Sequence, residues 1–484
     1  MKILTSRKLV VGLAAVLLVA ALTVGLATRS SLVLLVVAIG LVALTGLQSR
    51  HQTRSLHRAI AQTAKEQRTA LGELSARSQR QSDALRRLDR KVKPSHRPRA
   101  SGKGTAPAAL LPFAGDEHAV PAVTLVLDTL TSSQLFAGVK TAILVAAQVA
   151  ARSAAPLRIA AMHDATSSEA EIADAVREIL HEAGHSELAP ELVIGYPRSP
   201  ISPPRADGIV VVTYWRTAHA IGELVTAGQL RPDRVIYLVQ DFEPGFYPWG
   251  TDYALAEGTY SRGFRMMVNS APLADHVRTM TGVDIPHERV FAPLVDTESL
   301  RRSAEGWSPS DPKCPRLLFY ARPSKPRNLF PLGVDALRRW VDALPEEVTP
   351  HVVLAGERAV DVDLPRRATV EHVGHLTLAE YHRLLSRVDL GLALMFSPHP
   401  SHLPLELPMA GIPTVTNQFG TLRRSWVPGL EVADADAAAL AEALERTRRA
   451  AETLAAHHPQ ALPGSLGVPV EHAVAHVVDG LTRV

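Results

Sequence analysis

The sequence predicts an α/β chain built from two Rossmann-like domains facing a cleft, preceded by an N-terminal transmembrane hairpin and a helical basic segment. Three observations carry that expectation. From residue 123 onward, short β-branched runs alternate with segments of helical period, the pattern of parallel α/β layering. After an irregular stretch near residues 295–315 the alternation restarts at Arg316, as two separate sheets require. Two uncharged apolar runs, residues 9–28 and 32–47, are separated only by Arg29-Ser30-Ser31.

At 484 residues the chain has room for two core-bearing domains plus extras. Its single cysteine, Cys314, excludes an internal disulfide framework and a thiolate-rich metal site, and fits a reducing compartment. The net charge of +4 hides an asymmetry. Residues 48–103 hold fifteen Lys and Arg against four Asp and Glu, four more cations precede them, and the remainder therefore carries −11. An acidic body behind a basic N-terminal quarter argues against nucleic acid as a partner and for anionic lipid headgroups.

The apolar runs read as a hairpin over residues 1–47. Lys2, Arg7 and Lys8 before it and Arg50, Arg54 and Arg58 after it would lie on the same side, which the positive-inside tendency makes the cytoplasm. The expected location is the inner, cytoplasmic membrane with the globular part facing the cytoplasm. A cleaved signal peptide would share the basic start, and the second apolar run argues against it. Residues 48–92 show a seam of Ile60, Leu74 and Leu88 with Ala64, Leu71, Leu85 and Val92, broken by Gln67, Ser78 and Gln81. Two readings stay open: a weak coiled coil pairing protomers into a homo-oligomer, or a solvated basic helix on the membrane surface. The Pro-, Ser-, Gly- and Arg-rich stretch 93–119 is a flexible linker.

In the first half, residues 120–300, strands are expected over 123–127, 157–161, 191–195, 209–213, 234–239 and 266–269, with helices over 139–151, 169–183 and 272–280. All the strands can share one parallel sheet. The second half, 301–455, has strands over 316–320, 351–355, 370–372, 390–394 and 414–416. Its helices are expected over 332–343, 378–386 and 435–455. Residues 456–484 end in a helix over 471–481 that crosses back near the joint.

Chemistry is expected where strands end. The stretch 397–417 is a proline-punctuated loop opening a short helix with one carboxylate, Glu406, and closing on Gly411-Ile412-Pro413. A helix N-terminus suits a diphosphate, and a carboxylate one turn on suits sugar hydroxyls; the plain alternative is a loop before a buried helix. Arg322, Lys325 and Arg327 place three cations in six positions after the strand 316–320, a cluster that would neutralise a leaving diphosphate or form a solvated turn. Val373-Gly374-His375-Leu376 precedes a capping box of Thr377 and Glu380, and its backbone can also face a nucleobase edge. In the first half, Asp241, Glu243, Phe246, Tyr247 and Trp249 combine carboxylates with aromatic faces after the strand 234–239, a mixture suited to carbohydrate. Asp128 with Ser132, Ser133 and Gln134, and Tyr214-Trp215-Arg216, end neighbouring strands; a polar rim is the plain alternative for each. His399 and His402 lack a third ligand at metal spacing, His181 and His185 read as a surface pair, and neither a nucleophile elbow nor a Walker loop occurs.

From about Val123 onward the chain resembles the GT-B glycosyltransferases of family 4, most closely the WsaF-like rhamnosyltransferases. Three runs carry the resemblance: Gln240-Asp-Phe-Glu-Pro-Gly-Phe-Tyr247, Phe319-Tyr-Ala-Arg-Pro-Ser-Lys-Pro-Arg-Asn328, and Ser397-Pro-His-Pro through Gly411-Ile-Pro413. The family has two glutamates eight positions apart. Glu406, with Met409, Gly411 and Pro413, matches the second, which binds the nucleotide ribose, whereas Pro398 stands where the first would contact the donor sugar. That departure puts the donor's identity in question while agreeing with a deoxysugar subgroup.

The resemblance implies a retaining transfer, of L-rhamnose from dTDP-rhamnose, to a cell-surface glycan or lipid-linked glycan, with no metal and no cofactor beyond the nucleotide sugar. It matches Glu406 to the ribose and Arg322 with Lys325 or Arg327 to the donor diphosphate. Together with the residue reading, the candidates are Arg322, Lys325 and Asp241 as catalytic, Glu406, Arg327, Asn328, His375, Leu376, Ser401 and His402 on the donor side, and Asp128, Ser133, Trp215, Glu243 and Tyr247 on the acceptor side; whether Asp128, Asp241 or Glu243 assists the acceptor stays open. An inactive GT-B scaffold and a GT-B sugar-nucleotide epimerase are the alternatives.

Overall fold

Buried β-branched runs set up the strands. Val123, Leu125 and Val126 are wholly inaccessible, as are Val210, Val211 and Val212, because strands covered by helices on both faces need apolar side chains on both. The computed structural model describes residues 113–482 except 132–137, 164–167, 197–199, 358–361, 366, 421–422 and 424–425. The expected hairpin over 1–47 and the basic helical segment over 48–92 lie outside the described residues. All described residues belong to one compact unit, Thr105–Val484. Among them, no helix is long and apolar enough to cross a membrane.

In the first half the order is β1 (Val123–Thr129), α1 (Gly138–Ser153), β2 (Leu157–His163), α2 (Glu169–Glu182), β3 (Glu191–Tyr196) and β4 (Ile209–Val212). Then come α3 (Trp215–Thr226), β5 (Val235–Val239), α4 (Thr251–Gly258), β6 (Arg265–Asn269), α5 (Ala271–Thr281) and β7 (Val290–Phe291). After α6 (Thr297–Glu305), the second half runs β8 (Arg316–Ala321), α7 (Phe330–Ala343), β9 (His351–Gly356), β10 (Thr369–Gly374), α8 (Leu378–Leu385) and β11 (Leu390–Leu392). It ends with α9 (Leu403–Met409), β12 (Thr414–Asn417), β13 (Leu430–Ala433), α10 (Ala437–Glu452) and α11 (Val470–Thr482). Helices α3, α4 and α6 and strands β7 and β13 are not anticipated by the sequence pattern: each is short or interrupted, and their apolar faces follow no long clean period.

The strand orders position the chemistry. The first sheet runs β3-β2-β1-β4-β5-β6-β7 and the second β10-β9-β8-β11-β12-β13, with parallel pairing throughout. Chain direction across the sheet reverses between β1 and β4 in the first and between β8 and β11 in the second. Loops at the carboxyl ends of such strand pairs diverge and leave a crevice, where α/β proteins bind ligands. Asp128 and Trp215 border the first crevice; the 322–328 turn and the 395–402 loop border the second.

The last helix does not stop at the joint. Val470, Ala473, Val474, Val477 and Val478 of α11 join the core formed by Ile143, Val145 and Ala146 of α1, so the chain's end completes the first half. Ahead of it, Val468 forms a parallel bridge with Phe291, taking and giving hydrogen bonds with Ala292 and Val290. Gly467 makes that approach possible: its φ is +146°, and an added Cβ would lie 2.5 Å from the Phe291 carbonyl carbon and 2.6 Å from the Ala292 nitrogen. Replacing Gly467 by Ala is expected to destabilise the protein by about 2–4 kcal/mol, through backbone strain and a lifted crossover. Urea denaturation checks this, and an unchanged midpoint would refute the crossover's role.

Candidate active site

Side chains from both sheets meet where the two crevices face each other. Asp241 follows β5; its Oδ1 accepts from the Phe242 amide at 2.8 Å and from the Ser397 hydroxyl of the second half at 2.5 Å. Its Oδ2 stands 3.9 Å from Nε of Arg327, too far for a hydrogen bond, and the Arg327 guanidinium lies 4.4 Å above the ring of Phe246. Burial raises the Asp241 pKa, with Arg327 and the Ser397 hydroxyl pulling against it. A proton-hungry carboxylate therefore sits opposite the partly covered Arg327.

The other arginine is Arg322, at the end of β8. It donates to the Tyr320 hydroxyl at 3.2 Å, and its Nε is 3.7 Å from Glu357. The buried Nε groups of both Arg322 and Arg327 lack a hydrogen-bond acceptor among the described residues. Unfilled guanidinium donors of this type seek anionic oxygen. Lys325 is exposed on the same turn.

Glu406, on the first turns of α9, has both oxygens engaged: Oε1 with Nδ1 of His402 at 3.2 Å and Oε2 by the Tyr381 hydroxyl at 2.9 Å. Burial pushes its pKa up, but the bond and charge of His402 and the Tyr381 hydroxyl outweigh that, and the net shift is downward. For His402, burial pushes down, Glu406 pushes up harder, and the net shift is upward. His375 is exposed after β10, and Leu376 packs half-buried against the core under α8, whose capping box of Thr377 and Glu380 is present.

Several expected ligand contacts are spent inside the protein. Asn328 is 1% exposed and donates from Nδ2 to the Leu394 carbonyl, tying the cationic turn to the end of β11. Trp215 is 0% exposed; as the first residue of α3 it turns inward and donates to the Tyr247 hydroxyl at 2.9 Å, so neither its ring face nor that hydroxyl meets a sugar freely. Glu243 caps α3 from a distance: Tyr214 at the N-cap position makes no side-chain capping bond, and Glu243 Oε2 accepts from the Trp215 amide at 2.5 Å. Burial, with Asp241 and Asp128 nearby, raises its pKa well above the ordinary value. The buried Ser401 serves as a left-handed turn, φ +69°, inside the 397–402 loop. Asp128 ends β1 beside His163 at 3.2 Å, and Ser133 lies outside the described residues. Among the described residues, the aromatic rings most offered to solvent are Trp249, 92% exposed, and Phe396, 51% exposed.

Arg423 gives no signal in the sequence, yet it shapes the loop. Its buried guanidinium donates to the carbonyls of Ser397 (2.9 Å), His399 (3.1 Å) and Pro400 (3.3 Å). Burial lowers its pKa to about 10, which leaves it a cation at neutral pH. Its three acceptors lie at least 23 residues away in sequence, beyond the reach of any local pattern.

The WsaF N-terminal domain model matches residues 122–269 and the WsaF C-terminal domain model residues 315–445. The O-antigen biosynthesis protein RfbC of Myxococcus xanthus is 36% identical over 218 residues, 44% of this chain; the chain spans only 16% of that relative. Among solved structures, an α,α-trehalose 6-phosphate synthase from Burkholderia multivorans matches with TM-score 0.44 and 11% identity, over 75% of this chain and 98% of the other. A sucrose-phosphate synthase from Thermosynechococcus elongatus matches with TM-score 0.42 and 11% identity, over 74% and 94% respectively.

The His402–Glu406 pair makes a pH prediction. The raised His402 pKa contributes stability that is present at low pH and lost as pH rises through the folded-state value; the lowered Glu406 pKa contributes stability lost as pH falls through its own. The stability difference between wild type and His402→Gln is therefore expected to be largest near pH 6 and to shrink toward about pH 9. Thermal unfolding across that range measures it, and a difference constant with pH would contradict the pairing.

Proposed function

The chain belongs to the WsaF family of GT-B glycosyltransferases, and from that premise we propose that it transfers a sugar from a nucleotide donor to a glycan, retaining the anomeric configuration. The donor we propose is dTDP-rhamnose, and the acceptor is a cell-surface or lipid-linked glycan. The observation that carries the reading is the unfilled Nε donors of Arg322 and Arg327 after β8, with Arg327 facing the buried carboxylate of Asp241 across the two sheets.

Charge accumulates on the diphosphate as the bond from the anomeric carbon to its oxygen breaks. Arg322, Arg327 and Lys325 meet that charge with fixed cations, so the scheme uses no metal. Glu406, held by Tyr381 and His402, takes the ribose hydroxyls once a nucleotide competes for its oxygens. As the new bond forms, the acceptor hydroxyl gives its proton to Asp241, whose raised pKa makes it a stronger base than an ordinary aspartate. Trp249, exposed in the loop that follows Asp241, offers a face on which the acceptor glycan can stack. The proposed location, the cytoplasmic face of the inner membrane, rests on the apolar runs and their basic flanks.

Titrating the purified protein with dTDP, UDP and GDP and their sugar conjugates tests the donor. Glu406→Ala is expected to weaken donor binding about 30-fold, whereas Arg322→Ala is expected to lower kcat about 100-fold with little change in KM. Unchanged kinetics in both folded variants would defeat the site assignment. No nucleotide binding at all would favour an inactive scaffold, and conversion of the donor without acceptor would favour an epimerase.

A further inference from the structure

The 397–402 loop holds one polar group that the transfer scheme leaves without a task. His399 is 8% exposed, and its Nδ1 accepts the Ser401 amide at 2.9 Å. That bond fixes the tautomer, because an Nδ1 that accepts carries no proton and the ring's N–H must lie on Nε2. The loop is shaped to make the bond: Ser401 adopts φ +69°, a left-handed conformation uncommon outside glycine, and so turns its amide back toward the ring. Nε2 has no hydrogen-bond partner among the described residues.

Acceptors around it are already engaged. The carbonyls of Ser397, His399 and Pro400 take hydrogen bonds from Arg423. Oδ1 of Asp241 takes Ser397, and the oxygens of Glu406 take His402 and Tyr381. Burial, followed by the charges of His402, Arg423 and Arg327, lowers the His399 pKa to about 3, so the ring stays neutral and presents one N–H. A buried donor without an acceptor is retained at a cost, and in a binding loop an arriving group removes that cost.

We propose that His399 is a specificity-determining residue whose Nε2–H donates to an oxygen of the donor's sugar. This rests on the nucleotide-sugar reading of the cleft. The adjacent Pro398 has no side-chain hydrogen-bonding group, so at this point of the loop the donor offered is the N–H of a neutral ring. A donor of this kind suits a sugar oxygen that accepts, and it has no means of pairing with a hydroxyl that must donate. Such a contact discriminates by position: a sugar with its oxygen elsewhere leaves the N–H buried and unpaired.

The test is calorimetric titration of the full-length wild type, His399→Phe and His399→Gln with dTDP, UDP and GDP and with their rhamnose, glucose and mannose conjugates. Phe keeps the ring's bulk and removes the N–H; Gln restores a donor should Phe disturb folding. The expected result is that His399→Phe loses about tenfold in affinity for the nucleotide sugar that the wild type binds and keeps its affinity for the parent diphosphate, with His399→Gln falling between. Full affinity of His399→Phe for the nucleotide sugar, or an equal loss toward the bare diphosphate, overturns the assignment and leaves the donor reading standing. A wild type that binds none of these nucleotides overturns the donor reading and this assignment with it.

Discussion

A carboxylate from one sheet and a hydroxyl and guanidinium from the other meet at the centre of this molecule. The Asp241–Ser397 bond joins residues 156 positions apart, and with the Arg327 contact to Asp241 and Phe246 it brings the carboxyl end of β5 against those of β8 and β11. The contact is costly to desolvate, as the raised pKa of Asp241 records. It persists because the second carboxylate oxygen faces a cation and the first takes two hydrogen bonds.

The side chains around that contact are held by others that never face a ligand. Arg423 gathers three carbonyls of the 397–402 loop, Asn328 ties the cationic turn to β11, and Gln240 donates from Nε2 to Gly138 O and Thr213 Oγ1. Asn417 does the same for Met395, accepting from its amide and donating to its carbonyl. Fixed supports of this kind keep cations and amides aimed before a ligand arrives, which is the condition for electrostatic stabilisation of a developing charge. Between the halves, the rings of Phe242, His276, Phe419 and Phe396 form an edge-to-face series, so the two sheets also share apolar contact beside the polar one.

Much of the site was legible because strand ends concentrate chemistry in a parallel α/β fold. The loops after β5, β8 and β11 could be marked from their neighbouring buried runs; Asp241, Arg322, Arg327 and His402 stand in them, and Glu406 on the short helix that follows the last. What misled was residue type taken alone. Trp215 stood among the acceptor-side candidates, but as the first residue of an unanticipated helix it is fully buried, while Trp249 in the next loop exposes its ring. Glu243 looked like a free carboxylate and instead caps that same helix, a role invisible without knowing that the helix exists.

By itself, the sequence determined the parallel α/β layering, the restart at β8 and the capping box before α8, since each follows from period, polarity and caps within a few residues. Tertiary structure alone decided which polar groups are spent and which are left over. Asn328 finds its carbonyl 66 residues away, and Arg423 finds carbonyls 23 to 26 residues back. Whether a buried donor is satisfied depends on partners brought in by the whole fold, and local pattern carries no information about them. That is why Arg423 was missed, why the internal bond of Asn328 was not foreseen, and why the unpaired N–H of His399 could be seen only in the folded chain.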